Sequence, residues 1–139
     1  MIRSLETTAL VAEDQQEYLR AVGLNAEALE IAVEVNDERL VAHFIEGVAR
    51  TAIGAGETTR AVRLLGAAEA LWDQQPPDIV PQWGNPRETR RLGPARDQAR
   101  LALGDDQFAA TFAAGKAISS DAAAAEGIAL AAALRNASQ

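Results

Sequence analysis

The charged and polar residues of one predicted helix are the first candidates for chemistry. His43, Glu46 and Arg50 follow one another at spacings of three and four residues, which places them on one helical face. A histidine that acts as a general base needs a nucleophile or substrate group within reach, and the sequence offers none. We therefore interpret the three residues as a partner-binding face, and His43 by itself as a surface or interface histidine.

Arginines are concentrated in the segment that follows residue 86. They are Arg87, Arg90, Arg91, Arg96 and Arg100. Spacings of three and four place the first three near one helical face and make the last two a second pair. The cluster either binds an anionic ligand or an acidic partner surface, or it is a solvated face that balances Glu88, Asp97 and the acidic N-terminal half.

Two tryptophans flank a segment rich in proline and glycine, residues 76–86, with the sequence PPDIVPQWGNP. Trp72 precedes this segment and Trp83 lies within it, together with Ile79 and Val80. These side chains either line a groove for a peptide or a small apolar ligand, or they anchor the loop on the core. Trp83 and Arg87 complete the predicted partner-binding set.

The remaining chemistry-bearing residues do not predict a metal or cofactor site. A dense acidic stretch contains Glu27, Glu30, Glu34, Asp37 and Glu38. Carboxylates that bind a cation usually come from a tight loop, whereas most of these lie on a regular helix, which favours a solvated face. Cysteine is absent and His43 is the single histidine, so thiolate and multi-histidine metal sites are excluded. We predict no catalytic residue and no cofactor.

Composition and charge restrict the class of protein further. Alanine and leucine are abundant, both are strong helix formers, and aromatic residues make up only 4% of the chain, so we expect an all-α fold. The net charge of −7 argues against direct binding of nucleic acid, which usually requires a basic face. A membrane helix needs about 20 apolar residues, and no run approaches that length. We expect a cytoplasmic protein without a membrane segment or a secretory signal.

An internal repeat organises the helices that carry these residues. When residues 1–37 are laid over residues 41–77 with an offset of 40, six pairs of apolar positions coincide. The pairs are Leu5 and Ile45, Ala9 and Ala49, Ala12 and Ala52, Ala21 and Ala61, Ala28 and Ala68, and Ile31 and Leu71. Their spacings suit one side of two helices, so the repeat predicts a pair of helices that occurs more than once.

Helix boundaries follow from the turn residues. Asp37 is a good N-cap, and Gly54 and Gly56 end the helix that it opens, which predicts helices 38–54 and 58–75. We expect further helices at about 87–103 and 106–114, with Gly115 breaking the latter. Ser119 or Ser120 then caps a last helix. Helical glycines such as Gly23, Gly47 and Gly66 each cost about 1 kcal/mol relative to alanine, so we expect close helix contacts there, or less plausibly a kink at a groove.

The predicted architecture is one domain, residues 1–139, of antiparallel helix hairpins stacked as a short solenoid. Degenerate repeats cover about 1–37, 38–75 and 87–115, with a loop at 76–86. A helix at about 120–135 is expected to cap the open end of the stack, because successive hairpins in a solenoid share one core.

This pattern resembles the tetratricopeptide repeat, whose period is about 34 residues. The matching positions are Ile45, Val48, Ala49, Ala52, Gly56, Ala61, Leu65 and Ala68. The large aromatic residues of the motif are missing and the period is longer. A narrower resemblance lies in RAVRLLGAAEAL at residues 60–71 and QARLALGDDQFAATFAAGKAI at residues 98–118. This ordered pair looks like the C-terminal helical region of LuxR-type and related large ATP-binding (STAND-class) transcriptional regulators of bacteria.

The resemblance implies a non-catalytic sensor or protein-interaction module of such a regulator. Regions of this kind bind inducers or partner proteins, or hold the ATPase inactive. The phosphate-binding loop of those ATPases is missing here, so ATP binding does not carry over. Because the chain begins directly inside a repeat, we expect a fragment of a longer regulator rather than a stand-alone relative.

The expected partner is a protein, a peptide or a neighbouring domain held on the concave side of the stack. The alternative is an autonomous helical scaffold that forms a homodimer. A small enzyme is the third hypothesis, and no nucleophile–base pair supports it.

Overall fold

A computed structural model describes residues 2–75 and 92–137, and this part of the chain is entirely helical. The prediction of an all-α fold is confirmed. The helices are α1 Ile2–Asp14, α2 Tyr18–Glu34, α3 Glu38–Gly54, α4 Thr59–Asp73, α5 Leu92–Leu103, α6 Asp105–Lys116 and α7 Ser120–Ala137. The loop predicted at 76–86 lies outside the described residues, as does the start of the helix predicted at 87–103.

The first three interhelical turns share one backbone conformation. Each contains a residue with positive φ: Gln16 at 62°, Asn36 at 58° and Gly56 at 96°. In each turn the next residue donates its N–H to a carbonyl five positions earlier, on Ala12 (2.8 Å), Ala32 (3.2 Å) and Ala52 (2.9 Å) respectively. This is the Schellman pattern that ends helices. The turns recur every 20 residues, which is half of the predicted repeat.

The predicted caps are present at two of the helix starts. The Asp37 carboxylate accepts hydrogen bonds from the N–H groups of Arg39 and Leu40, as an N-cap should. Ser119 Oγ accepts from the N–H of Ala122 at 3.1 Å and so caps α7. These local signals depend only on neighbouring residues, and the sequence was sufficient to predict them.

Alanines are buried in the helices of the first two pairs, which pack on one another. α2 packs on α1 and α3, and α3 packs on α4. Ala9, Ala12, Ala49 and Ala52 are all buried, as the offset of 40 residues predicted. Larger side chains such as Phe44 fill the space between these close-packed helices. The apolar stripe of each helix is thereby removed from water, and its polar face remains outside.

The glycines predicted to lie at close contacts differ in what they touch. A Cβ atom at Gly66 would collide with the backbone carbonyl of Phe112 in α6, so α4 and α6 approach as closely as expected. A Cβ at Gly47 would lie 2.6 Å from Oδ1 of Asn25. Asn25 is a buried polar residue whose amide donates to the carbonyl of Ala21 at 3.0 Å and of Gly47 at 3.4 Å. Gly23 meets nothing within 4 Å, so close contact does not explain it.

Gly115 does not break α6, and the predicted helix end at Ala114 is wrong. α6 continues to Lys116, and the reason is tertiary: Gly115 is buried against the backbone carbonyl of Arg63 in α4. The same residue type that ends helices in isolation here permits two helices to touch.

The last helix, α7, lies over the first two helix pairs. Its main contacts are with α2, α3 and α4, so it covers their shared core instead of extending the stack beyond α6. Gly127 allows this approach, since a Cβ there would lie 3.1 Å from Leu29 Cδ2. Glu126 accepts two hydrogen bonds from Arg63, at 2.8 and 3.2 Å, and this pairing raises the pKa of the guanidinium.

Candidate functional site

The predicted residues His43 and Arg50 lie where α3 faces α1. His43 Nε2 is hydrogen-bonded to Glu6, and Arg50 holds Glu13 through two hydrogen bonds of 2.8 and 2.9 Å. Both pairs span 37 residues, and the members on each helix are seven residues apart, which corresponds to two helical turns. Both side chains therefore join two helices of this chain, and their role toward a partner stays a prediction.

Glu46, the third member of the predicted set, is 4% exposed on α3. It borders a cavity of about 20 Å³ together with Leu65, Glu69, Arg96 and Phe112 among others. A space of that size holds about one water molecule, which excludes an organic ligand from it. His43 and Arg50 face α1, whereas Glu46 faces this small cavity. His43 also borders a recess of about 380 Å³ between α1 and α3, which Glu6 and Leu40 line with it.

The aromatic and basic candidates are only partly within the described residues. Trp83, Arg87, Arg90 and Arg91 all lie outside them. Trp72 is buried at the end of α4, which favours the packing interpretation for that residue.

The second arginine pair, Arg96 and Arg100, lies over aromatic rings of α6. The Arg96 guanidinium is 5.2 Å from the centroid of the Phe112 ring, and that of Arg100 is 4.8 Å from the Phe108 ring. The two rings are stacked with their centroids 5.9 Å apart. Cation–π contacts of this kind are worth about 0.5–1 kcal/mol at exposed sites, so these arginines contribute to α5–α6 packing.

The pairing of Glu6 with His43 predicts a pH dependence of stability. The hydrogen bond to His43 holds the pKa of the Glu6 carboxyl below its ordinary value, burial opposes this, and the charges of His43, Arg3 and Arg50 add to it. A carboxyl whose pKa is lower in the folded state stabilises the folded protein at pH values above the pKa that it has in the unfolded chain. This stabilisation is lost as the pH falls through the pKa that the carboxyl has in the folded protein.

We expect the Glu6→Gln variant to be less stable than the parent by about 1 kcal/mol at pH 6, a small amount because the pair is partly exposed. The difference should shrink as the pH falls through the acidic range in which Glu6 becomes protonated in the folded protein. Urea unfolding of both proteins between pH 6 and pH 3 measures it. A difference that stays constant over this range would show that the Glu6 charge contributes nothing.

A groove between α2 and α7 has a volume of about 620 Å³. Its apolar surface comes from Leu19, Leu24 and Ile128 and from small residues that include Gly23 and Ala132. Leu19 is 46% exposed at the border of this groove. The empty space at Gly23 is part of this recess, so the glycine deepens the groove.

Charged residues of both signs border the groove. Arg20, Glu27 and Glu30 border it on α2, and Arg135 borders it on α7. The groove is thus lined by both apolar and charged side chains, as surfaces that bind another macromolecule often are. The sequence analysis did not identify this groove, because α7 was expected at the end of the stack and not beside α2.

Comparison with known proteins does not assign a function to the groove. Comparison with known protein families, with curated proteins and with solved structures finds no match to the chain. Within residues 2–75 and 92–137, no cluster of three or more histidine, aspartate or glutamate residues could hold a metal ion. No described helix is long and apolar enough to cross a membrane. We take the groove between α2 and α7 as the candidate site because it is larger than the recess at His43 and is lined by both apolar and charged side chains.

Proposed function

We propose that this chain is a non-catalytic protein-interaction or sensor module, built from tetratricopeptide-like helix hairpins. We propose further that the chain is part of a cytoplasmic bacterial transcriptional regulator. The resemblance of residues 60–71 and 98–118 to the helical regions of such proteins supports this origin. An ATP-binding or DNA-binding segment encoded in the same reading frame would support that origin.

The groove between α2 and α7 is the observation that carries the proposal. A recess of about 620 Å³ with exposed Leu19 at its border accepts apolar side chains of a helix or an extended segment. α7 forms one wall of the groove and also covers the core of the first two helix pairs. A partner that binds the groove favours the conformation in which α7 is docked, and this preference can shift an attached switch.

Filling the groove without unfolding the protein tests the proposal. Gly23→Gln places a large polar side chain into the recess, and since the position is open and helical the substitution should stabilise α2. We expect a library of helical peptides displayed on phage to yield binders of the immobilised chain. Their affinity should fall at least about 10-fold in Gly23→Gln, which corresponds to 1.4 kcal/mol.

Gly93→Gln is the matched control, because Gly93 is also an exposed helical glycine with nothing within 4 Å of a Cβ atom, and it lies on α5 away from the groove. This variant should bind the selected peptides as the parent does. If no peptide is selected, or if Gly23→Gln binds peptides as well as the parent does, the groove is not an interaction site and the proposal fails.

A further inference from the structure

The direction of α7 determines which charges lie near each other in the groove. Gly127 of α7 lies against Leu29, near the middle of α2. Arg135 is two turns further along α7 and borders the same groove as Leu19 and Arg20, which are at the start of α2. α7 therefore runs antiparallel to α2, and Arg135 lies at the Arg20 end.

The groove consequently has a basic end and an acidic end. Arg20 and Arg135 border one end, and Glu27 and Glu30 border the other. The ion pair of Arg20 with Glu17, at 3.3 Å, joins side chains that are 61% and 47% exposed, and such a pair holds its partners weakly. Neither Glu27 nor Glu30 forms an ion pair within residues 2–75 and 92–137. The acidic end is thus available to a cation from outside.

A surface with this polarity is complementary to itself. When two copies are related by a two-fold axis perpendicular to α2, the basic end of one meets the acidic end of the other, and every contact occurs twice. In this arrangement the exposed Leu19 of each copy faces the groove of the other. Gly23, which has no side chain, permits the close approach of the two α2 helices. The charges at the two ends of the groove are opposite in sign, and an antiparallel contact between two copies requires this.

We propose that the occupant of the groove is a second copy of this chain, with the two α2 helices antiparallel and Arg20 of each copy paired with Glu30 of the other. This inference rests on the proposed function and names its partner. A partner with a uniformly basic surface would match Glu27 and Glu30 but would repel Arg20. A second copy satisfies both ends.

Charge exchange tests the contact directly. Sedimentation equilibrium of the parent chain over ~1 to ~200 µM should show a reversible dimer with a Kd on the order of 10 µM. Arg20→Glu and Glu30→Arg, each alone, should raise this Kd at least about 10-fold because the two-fold axis repeats every repulsive contact. The chain that carries both substitutions should regain the affinity of the parent, since the pair is then re-formed with the charges exchanged.

Arg60→Glu is the control, because Arg60 is an exposed residue of α4 outside the groove and the change in charge is the same as in Arg20→Glu. It should leave the dimer unchanged, and circular dichroism should show native helicity for every variant. A parent chain that stays monomeric overturns the inference, and so does a dimer that is insensitive to the exchanges. A monomer that still binds selected peptides in a Gly23-dependent manner would leave the proposed function intact.

Discussion

Gly115→Ala is expected to destabilise the protein by about 3 kcal/mol, the upper part of the range for overpacked cores. An added methyl group would lie 2.7 Å from the carbonyl carbon of Arg63 and closer still to its oxygen. Backbone atoms cannot rotate away as a side chain can, so α4 and α6 must separate along their whole contact. Chemical denaturation followed by circular dichroism measures the change, and Gly66→Ala should behave similarly because its methyl group would meet the Phe112 carbonyl.

Gly23→Ala provides the matched comparison. It makes the same chemical change inside a helix, but a Cβ there meets nothing within 4 Å, so we expect it to stabilise the protein by about 1 kcal/mol through helix propensity. The two substitutions should therefore shift the denaturation midpoint in opposite directions. If Gly115→Ala were as stable as the parent, the close contact between α4 and α6 would be wrong, and the position of α6 with it.

Local signals in the sequence predicted most of the helix boundaries. Asp37 caps α3, and Gly56 takes the left-handed conformation after it, because these preferences depend on a few neighbouring residues. Gly115 shows the limit of such reasoning. Its effect depends on Arg63, more than 50 positions earlier, and no local rule indicates that the two backbones meet. The position of α7 was missed for the same reason.

The candidate site was harder to predict than the fold. Spacing correctly placed His43 and Arg50 on one side of α3, but their partners Glu6 and Glu13 belong to α1 and could not be assigned without the packing. The groove depends on two helices that are distant in sequence. Gly23 was its one signal, since a helical glycine needs a reason. The sequence analysis favoured close helix contact there, whereas a Cβ atom at Gly23 meets nothing within 4 Å.

The ion pair of Glu13 with Arg50 is the second substantial contribution to stability, and a double-mutant cycle should show it. The side chains are only 10% and 12% exposed, and the geometry is bidentate. Replacing one partner leaves the other charge in a poorly hydrated position, so Glu13→Gln and Arg50→Gln should each cost about 3 kcal/mol, measured by urea unfolding. The double variant should lose much less than the sum of the two, with a coupling energy of about 2 kcal/mol.

The exposed pair of Glu17 with Arg20 is the internal reference for that cycle. Its side chains are 47% and 61% exposed, and pairs of this kind couple by about 0.5 kcal/mol or less. Added salt should reduce the small coupling of Glu17 with Arg20 more than that of Glu13 with Arg50, because solvent ions screen exposed charges most. Equal coupling energies in the two cycles would mean that the partly buried ion pair does not hold α1 against α3. The position of α1 against α3 would then depend on the hydrogen bond of Glu6 with His43 and on apolar packing.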